Sequence, residues 1–370
     1  MTRPSPTRRV SPEEALRLLE AGDLLDLGRR ADVVARRLHP EPWRTYAVDR
    51  NINFSNLCEC RCRFCAFWRG PESPEAYVLD DAALAAKIRE AVGLGATHIL
   101  AQGGLAPRLD LGYYEALLGR IRSEFPVRLH CFSPPEIHFM AERAGLPVRT
   151  VLERLRAAGL DSLPGGGAEI LVDRVRRLIS PRKCTAGEWL GVMRAAHALG
   201  MPTSATMVFG HVETPAERIE HLARLRDLQD ETGGFLSFIA WPFQAPNTAL
   251  AAGGDLGPDW RPVDGAGYLR MLAVARIFLD NVPNVQASWV TMGTKIGQVA
   301  LEFGANDLGS TMIEENVVAA AGCVHRASPD VLRRLLRRAG FEPRQRDSRY
   351  RIVQAVPIRG VEGAWGSDYA

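Results

Sequence analysis

The stretch CECRCRFC, residues 58–65, holds four of the seven cysteines in this 370-residue chain. Cys58, Cys62 and Cys65 are separated by three and then two residues. Each separation spans only about 10–14 Å when extended, so the three thiolates can converge on one soft metal centre. A ferredoxin-like electron carrier would need a fourth cysteine nearby, and the next one along the chain is Cys131. The spacing therefore predicts an iron–sulfur cluster with one iron open to another ligand.

A structural zinc ion is the alternative for the same stretch. Cys60 or a distant histidine would then supply the fourth ligand. Structural zinc usually pairs two ligand-bearing knuckles, and the sequence has no second knuckle. The pattern therefore favours iron–sulfur over zinc and makes Cys60 a spectator. Cys131, Cys184 and Cys323 are most simply small buried side chains.

Short apolar runs alternate with amphipathic segments from residue 51 onward. Leu84, Ile88 and Val92 recur every fourth residue, which places them on one face of a helix. The tetrapeptide TPAE at 214–217 is a capping box that begins another helix. Strands that alternate with such helices imply parallel pairing and right-handed crossovers. The apolar runs are 52–57, 97–104, 127–134, 160–170, 202–211, 236–243, 285–293 and, as the weakest, 300–307.

Eight runs predict an α/β fold, a TIM-type (β/α)8 barrel. A doubly wound sheet is the alternative, but no G-x-G-x-x-G turn opens a helix, and the three glycines at 165–167 lack that spacing. We divide the chain into an N-terminal helical extension (1–50), the barrel core (51–312) and a C-terminal helical extension packed on the barrel (313–370).

Composition indicates a soluble protein of a reducing compartment. The chain is 46% hydrophobic and 24% charged, enough for a large core, and its formal net charge of +3 argues against nucleic acid as a partner. No run approaches the roughly 18 apolar residues of a membrane span, and the N-terminus lacks the apolar region of a signal peptide. An odd number of crowded cysteines makes a disulfide framework improbable, so we expect a cytoplasmic location and no membrane partner.

Polar and aromatic residues follow the predicted strands at their C-terminal ends, where a barrel of this type carries its chemistry. Each has a structural alternative: Glu169 could be a helix-start carboxylate, and His130 a satisfied core histidine. His211 and Glu213 form an H-x-E pair as in zinc deaminases, but no P-C-x-x-C follows, so His211 is better interpreted as a proton-transfer group. The candidates are Gln102, Gly103, Gly104, Ser133, Glu136, Glu169, Thr206, His211, Glu213, Trp241, Ser288, Trp289, Thr291, Asn306 and Asp307.

The cysteine spacing, with the aromatic Phe64 before the last cysteine, resembles the signature of radical S-adenosylmethionine (SAM) enzymes. Further stretches resemble the menaquinone-pathway branch of that superfamily, and the resemblance covers residues 12–353. ASWVTMG and GANDLGSTM favour the cyclising members of the branch over the aminofutalosine synthases. The stretches are CRFCAFWR (62–69), AQGGLAPRLDLGYYEALL (101–118), FSPPEI (132–137), GLDSLPGGGAEIL (159–171), ATMVFGHVET (205–214), LQDETGGF (228–235), FLDN (278–281), ASWVTMG (287–293) and GANDLGSTMIEENVV (304–318).

This resemblance implies a [4Fe–4S] cluster on Cys58, Cys62 and Cys65, with SAM bound to the open iron. Gln102-Gly103-Gly104 takes the place of the Gly-Gly-Glu motif that binds the methionyl amine. Gln102 replaces an acidic residue, which leaves that contact mostly to backbone carbonyls. Glu169 becomes a ligand of the SAM ribose. The implied cofactor-binding residues are Phe64, Phe67, Gln102, Gly103, Gly104, Ser133 and Glu169.

The implied reaction converts dehypoxanthine futalosine into cyclic dehypoxanthinylfutalosinate. A 5′-deoxyadenosyl radical would abstract hydrogen from ribose C4′, and the carbon radical would add to the benzoate ring, which then loses a proton and an electron. We expect His211 or Glu213 to take the proton, and a reductase, flavodoxin or ferredoxin to supply electrons. A sibling enzyme such as aminofutalosine synthase, and a non-catalytic iron–sulfur or zinc protein, are the alternatives. An exposed Arg69 could bind the substrate carboxylate or could equally hold the cluster loop. The expected substrate contacts are Arg69, Glu136, Thr206, Trp241 and Trp289, with Phe67 and Trp68 also at a dry barrel mouth.

Overall fold

The fold consists of parallel strands surrounded by helices, in a computed structural model that describes residues 9–353. The strands are β1 (Trp43–Ala47), β2 (Asp49–Asn53), β3 (His98–Gln102), β4 (Arg128–Cys131), β5 (Thr203–Phe209), β6 (Phe235–Pro242), β7 (Asn284–Gln286), β8 (Asp307–Ser310) and β9 (Glu342–Gln345). The helices are α1 (Pro12–Ala21), α2 (Leu24–Leu38), α3 (Asp81–Gly93), α4 (Leu111–Glu124), α5 (Pro134–Ala144), α6 (Val148–Ala158), α7 (Asp173–Ile179), α8 (Ala186–Ala198), α9 (Pro215–Thr232), α10 (Ala249–Ala252), α11 (Gly265–Phe278), α12 (Trp289–Val299) and α13 (Pro329–Arg338).

The strands form a ring of parallel pairings. One sheet has the order β2-β3-β4, and the other has the order β5-β6-β7-β8-β1-β9. Two isolated parallel bridges, His130 with Ser162 and Leu163 with Thr203, join the sheets. Because Val48 alone separates β1 from β2, the pairings return to the segment where they began. The prediction of an α/β fold of (β/α)8 type is confirmed, with the fourth strand reduced to the bridging residues.

Side chains on each strand alternate between the inside of the ring and the surrounding helices. Ile52, Ile99 and Leu129 are fully buried members of the hydrophobic core. The residues that alternate with these core residues along β2, β3 and β4 line a central cavity. In register, the inward-facing residues are Asp49, Asn51 and Asn53 on β2, His98, Leu100 and Gln102 on β3, and His130 on β4.

The surrounding helices begin and end as their sequences predict. Thr214 and Glu217 form the capping box of α9, and Gly233 ends that helix in the left-handed conformation at φ 64°. Asp80 caps α3, which buries Leu84 and Ile88 on one face. Among residues 9–353, no helix is both long and apolar enough to cross a membrane.

The last strand lies later in the chain than predicted. We expected it at 300–307, but Ala300–Glu302 form a 3₁₀ turn and β8 begins at Asp307. Gly304 lies between the two with φ 98°, so Leu301 and Phe303 are buried before the strand rather than within it. Asn306 and Asp307 therefore lie at the N-terminal end of β8, the end opposite to the expected chemistry.

The two flanking segments also contribute strands. β1 begins at Trp43, earlier than the expected boundary at residue 51. After residue 312 we expected helices, but the described part contains α13 and β9, and β9 pairs in parallel with β1. This strand is followed by Arg346, whose guanidinium binds Asp307 through Nε–Oδ2 (2.5 Å) and Nη2–Oδ1 (2.8 Å) contacts inside the fold. The C-terminal segment is thus part of the sheet, and the three-part division stays a prediction.

Candidate active site

A deep cavity of about 410 Å³ lies inside the ring of strands. The cysteine loop after β2 lines its upper end, beside the turn at the end of β3. Asp49, His98 and Arg346 line the opposite end. Since the C-terminal ends of the strands meet at the cysteine loop, the cavity opens where a fold of this type places its chemistry.

Backbone hydrogen bonds hold the cysteine loop in a compact shape. The N–H of Cys58 donates to the carbonyl of Arg69 at 3.1 Å, and the N–H of Cys65 donates to the carbonyl of Cys62 at 3.2 Å. Arg61 adopts a left-handed conformation at φ 48°, which tightens the turn. The loop therefore presents its three spaced cysteines from one short, bonded segment.

Arg69 secures this loop instead of facing the cavity. Its Nη1 donates to the carbonyls of Ala66, Phe67 and Trp68 at 3.0, 3.2 and 3.0 Å. Its Nε pairs with Glu75 at 2.5 Å. Arg69 does not line the cavity. Its expected contact with a substrate carboxylate has no counterpart in this geometry, and the loop-holding alternative fits better.

The thiols have unequal acidity, and Lys183 explains part of the difference. The sulfurs of Cys60 and Cys62 lie 3.4 Å apart, and this contact, together with the Lys183 ammonium, lowers the pKa of Cys62 to about 7. Burial raises the pKa of Cys58, and it raises the pKa of Cys65 to about 11. A metal centre would be needed to stabilise all three as thiolates.

A single zinc ion and an iron–sulfur cluster differ in what they require of their ligands. Within residues 9–353, no three His, Cys, Asp or Glu side chains converge closely enough to hold one metal ion. A structural zinc needs four ligands about 2.0–2.3 Å from one atom. A cluster presents several irons, so its thiolate ligands can stand farther apart.

The turn after β3 packs directly against the cysteine loop. Leu105 N–H donates to Cys58 Sγ at 3.4 Å, and Glu59 N–H donates to the carbonyl of Leu105 at 3.0 Å. A Cβ atom at Gly104 would lie 2.0 Å from the carbonyl oxygen of Leu57, so only glycine fits. Gln102, Gly103 and Gly104 all line the cavity.

Glu136 joins this turn to the start of α5. Its Oε2 accepts from the N–H and hydroxyl of Ser133 at 2.7 and 2.6 Å, a capping box, and its Oε1 accepts from the N–H of Gly103 at 2.9 Å. Burial raises the pKa of Glu136 to about 7 despite these donors. Both Ser133 and Glu136 line the cavity, so the structure brings these predicted residues to the upper end.

Glu169 is a strained, buried carboxylate at the cavity wall. Its φ is 40°, a conformation that a non-glycine residue adopts only when the surroundings impose it. Lys183 Nζ lies 2.9 Å from Oε1, whereas Oε2 forms an ion pair with Arg176 Nη1 at 3.7 Å but has no hydrogen-bond partner within the described chain. A buried acceptor of this kind costs about 1–3 kcal/mol unless a ligand supplies a donor. The arrangement fits the hydroxyl groups expected from a bound nucleoside.

The remaining predicted residues divide into two groups. Phe64, Phe67, Thr206, Trp241, Ser288 and Trp289 line the cavity. Thr206 Oγ1 donates to the carbonyl of Gly165 at 2.6 Å, and Ser288 Oγ lies 2.7 Å from Thr291 Oγ1. Thr291, Asn306 and Asp307 do not line it. Asn306 instead bonds Arg276 and the N–H of Val285 behind the strands.

His211 and Glu213 lie outside the cavity lining. Glu213 accepts from the N–H groups of Gly210 (2.6 Å) and His211 (2.9 Å) and from Arg218 Nε (2.7 Å). Burial alone would raise its pKa, but His211 and Arg218 outweigh burial and lower it. Both ring nitrogens of His211 are engaged, Nε2 with the carbonyl of Val208 at 3.0 Å and Nδ1 with the N–H of Val212 at 2.8 Å. These contacts favour a structural role over proton transfer.

The replacement Glu213→Gln tests this distinction. We expect it to lower the free energy of unfolding by about 1–3 kcal/mol, because the buried network loses its negative charge and one of its two acceptor oxygens. Turnover per folded molecule should stay near the wild-type value. Urea unfolding and a rate assay measure the two effects. Glu220→Gln is the matched control, since Glu220 pairs with Arg224 on the exposed face of α9, the helix that carries Arg218. Wild-type stability with lost turnover would instead make Glu213 the proton acceptor.

Several residues that line the cavity belong to no sequence motif. Lys183 comes from the loop between α7 and α8, and Arg346 and Tyr350 come from the segment after β9. Asn51 and Glu315 face the middle of the cavity. No local pattern marks these residues, because the fold brings them together from distant parts of the chain.

Two family models match the chain. Residues 52–225 match the Radical SAM superfamily, and residues 232–358 match the CofH/MqnC C-terminal region. Among solved structures, methylornithine synthase superposes with a TM-score of 0.70 at 16% identity, covering 91% of this chain and 94% of that one. The hydrogenase maturase HydG from Carboxydothermus hydrogenoformans also gives 0.70 at 16% identity, covering 93% and 78%. At 16% identity, these similarities show that this chain shares the fold of both structures.

Curated relatives are much more similar in sequence. A cyclic dehypoxanthine futalosine synthase of Halalkalibacterium halodurans is 45% identical over 94% of this chain and 92% of its own length. The enzyme of the same name from Streptomyces coelicolor is 42% identical over 92% and 85%. A 5-amino-6-(D-ribitylamino)uracil–L-tyrosine 4-hydroxyphenyl transferase of Methanothermobacter thermautotrophicus is 42% identical over 94% and 95%.

Proposed function

The chain belongs to the radical SAM superfamily, and we propose that it converts dehypoxanthine futalosine into cyclic dehypoxanthinylfutalosinate in menaquinone biosynthesis. The observation that carries this proposal is the 45% identity to a cyclic dehypoxanthine futalosine synthase over 94% of the chain. The superfamily uses a [4Fe–4S] cluster and SAM, and the cysteine loop and Glu169 suit these groups.

The upper end of the cavity would hold both cofactors. Cys58, Cys62 and Cys65 would bind the cluster. Gln102-Gly103-Gly104 and Ser133 would surround the methionyl part of SAM, with Phe64 and Phe67 beside it, and Oε2 of Glu169 would accept from its ribose hydroxyls. Lys183 would keep Glu169 in place through the 2.9 Å contact to Oε1. When bound, the cluster and SAM supply a radical that removes a hydrogen atom from the substrate.

The remaining cavity wall would bind and shield the substrate. Trp241 and Trp289 are large apolar side chains that line the same cavity as the cysteine loop and would help to exclude water from radical chemistry. Thr206 and Glu136 are proposed substrate contacts that are already fixed by protein hydrogen bonds, so they would orient the substrate without moving. This rigidity supports an intramolecular ring closure, which depends on one geometry of two parts of the same molecule.

The electron donor and the location are also proposals. A reductase, flavodoxin or ferredoxin would reduce the cluster from the cysteine-loop side. All seven cysteines are unpaired, and a low-potential cluster persists only in a reducing environment, which supports a cytoplasmic location.

A 4-hydroxyphenyl transferase is the second candidate, because the relative with that name is 42% identical over nearly its whole length. That enzyme's name specifies two substrates, 5-amino-6-(D-ribitylamino)uracil and L-tyrosine. The two activities differ in what must be added to the assay, so substrate dependence separates them.

An anaerobic assay with SAM and a strong reductant tests the proposal. We expect 5′-deoxyadenosine to form only when dehypoxanthine futalosine is present, together with a product lighter by two hydrogen atoms. Mass spectrometry follows both compounds. The control replaces the substrate with 5-amino-6-(D-ribitylamino)uracil and L-tyrosine. Deoxyadenosine formation that depends on this pair and not on dehypoxanthine futalosine would replace the cyclase with the transferase.

A further inference from the structure

The middle of the cavity wall contains a buried amide whose oxygen has no hydrogen-bond partner in residues 9–353. Asn51 is the central residue of β2, lines the cavity and is 4% exposed. Its Nδ2 donates to Glu315 Oε2 at 2.8 Å. Because an ionised carboxylate can only accept, this contact fixes the amide and turns Oδ1 away from Glu315. Oδ1 is left as a buried acceptor without a donor.

Glu315 is held beside Asn51 by the backbone of its own segment. Its Oε1 accepts from the N–H groups of Val317 at 2.8 Å and Val318 at 3.2 Å. A carboxylate offers about four acceptor positions, so these contacts and the one to Asn51 leave a position open. Burial raises the pKa of Glu315, and the hydrogen bonds from Asn51, Val317 and Val318 oppose this rise because they stabilise the carboxylate. The pair thus offers two fixed acceptors at one point of the cavity wall.

Two neighbouring acceptors select a ligand that carries hydrogen-bond donors. A ligand carboxylate or phosphate would meet the like charge of Glu315, and an apolar group would leave Asn51 Oδ1 without a donor, at a cost of about 1–3 kcal/mol. The next inward polar residue at this level is His130, whose Nδ1 bonds Ser162 Oγ at 2.7 Å, so the surroundings remain polar. Neutral hydroxyl groups satisfy these acceptors without adding charge.

Resting on the proposed function, we propose that Asn51 and Glu315 form a sugar-hydroxyl subsite that binds the ribose of dehypoxanthine futalosine. Asn51 Oδ1 and Glu315 Oε2 each accept a hydrogen bond from a ribose hydroxyl. Asn51 comes two residues before Asn53 on β2, and Asn53 pairs with Gln102 of β3 at the end of the strands next to the cysteine loop. The subsite therefore lies one step further into the cavity than this pair. It therefore positions the ribose next to the cofactors. The part of the cavity wall formed by Trp241 and Trp289 remains available to the benzoate ring.

Calorimetric binding to the anaerobic holoenzyme, without SAM or reductant, tests the subsite apart from turnover. The probes are dehypoxanthine futalosine and an analogue that lacks the 2′ and 3′ hydroxyls. We expect Asn51→Ala to weaken binding of the substrate by about fivefold to thirtyfold, the effect of one or two hydrogen bonds. Binding of the analogue should be the same in Asn51→Ala and in wild type.

Asn284→Ala is the matched control. Asn284 is a buried strand amide of the same ring, bonded to Leu236 and Asn306, and it does not line the cavity. It should lose stability comparably and keep wild-type affinity. If Asn51→Ala does not fold, the wild-type preference for the substrate over the analogue, expected to be tenfold or more, carries the test.

Unchanged affinity in folded Asn51→Ala, or equal wild-type affinity for the two probes, would overturn the subsite and leave Oδ1 to a trapped water. These outcomes are separable from failure of the proposed function. Cyclic product from wild type with no hydroxyl dependence of binding sinks the subsite alone. Hydroxyl-dependent binding without cyclic product sinks the cyclase alone.

Discussion

Cys62→Ala is expected to leave the protein without its iron–sulfur cluster and to reduce SAM cleavage to background. Cys62 is the middle residue of the three-cysteine pattern, and it carries the most acidic of the three thiols because Cys60 and the Lys183 ammonium lower its pKa to about 7. Removal of this proposed ligand would leave two thiolates for a cluster that is expected to have one iron without a protein ligand. Two thiolates cannot hold a four-iron cluster against loss into solution.

The matched control is Cys60→Ala. Cys60 lies in the same loop, and its sulfur is 3.4 Å from the sulfur of Cys62. It is not one of the three cysteines whose spacing predicts cluster ligands. We expect this variant to retain most of its iron and its SAM cleavage. Iron content, the brown colour of anaerobically purified protein and 5′-deoxyadenosine formation are the measurements. If Cys62→Ala stayed brown and active while Cys60→Ala lost its iron, the ligand assignment would be wrong.

The part of the site that could be predicted from sequence is the part encoded in short spacings. The cysteine loop, the turn at Gln102–Gly104 and Glu169 each follow a strand, and the common direction of parallel strands brings them to one end of the ring. Spacing and topology together were enough for these residues. They did not require knowledge of any distant side-chain contact.

The prediction for His211 and Glu213 lacked such support. An H-x-E pair after a strand can point into the cavity or back onto its own loop, and the sequence spacing is the same in both cases. In the structure Glu213 turns back to accept from the N–H of Gly210 and from Arg218 on the following helix. The competition between a local cap and a cavity-facing carboxylate is decided by three-dimensional packing.

Lys183 and several residues near the C-terminus were missed for a related reason. Lys183 meets Glu169 across a loop, and Glu315 meets Asn51 through contacts 264 residues apart in sequence. The strand β9 was missed because its sequence, EPRQ, is polar and contains proline, which is typical of an edge strand and not of a buried one. These features follow from the closed ring, which places the chain's end beside its beginning.

Gly104→Ala is expected to have the second large effect, through the contact between the β3 turn and the cysteine loop. A Cβ at this position would lie 2.0 Å from the carbonyl oxygen of Leu57 and 2.6 Å from Cys58 Cβ. Neither neighbour is a flexible side-chain end, so the turn and the loop must separate. That separation also breaks the hydrogen bond from Leu105 N–H to Cys58 Sγ.

The consequence reaches the chemistry because Cys58 is a proposed cluster ligand and the same turn is proposed to hold the methionyl amine of SAM. A displacement of about 1 Å between reacting groups can cost a hundredfold in rate. We therefore expect Gly104→Ala to lower SAM cleavage by about a hundredfold, and the cluster content to fall as well. Overpacking of the turn should also lower the free energy of unfolding by about 1–3 kcal/mol.

Gly119→Ala shows whether these effects come from the site. Gly119 lies within α4, and a Cβ there would meet no atom within 4 Å. The same substitution should therefore keep full iron content and activity and raise the free energy of unfolding by about 0.5–1 kcal/mol, because alanine favours the helix. Iron analysis, deoxyadenosine formation and urea unfolding compare the two variants. Normal activity in Gly104→Ala would mean that the turn and the cysteine loop can separate without moving Cys58, and the proposed role of this turn in SAM binding would then be wrong.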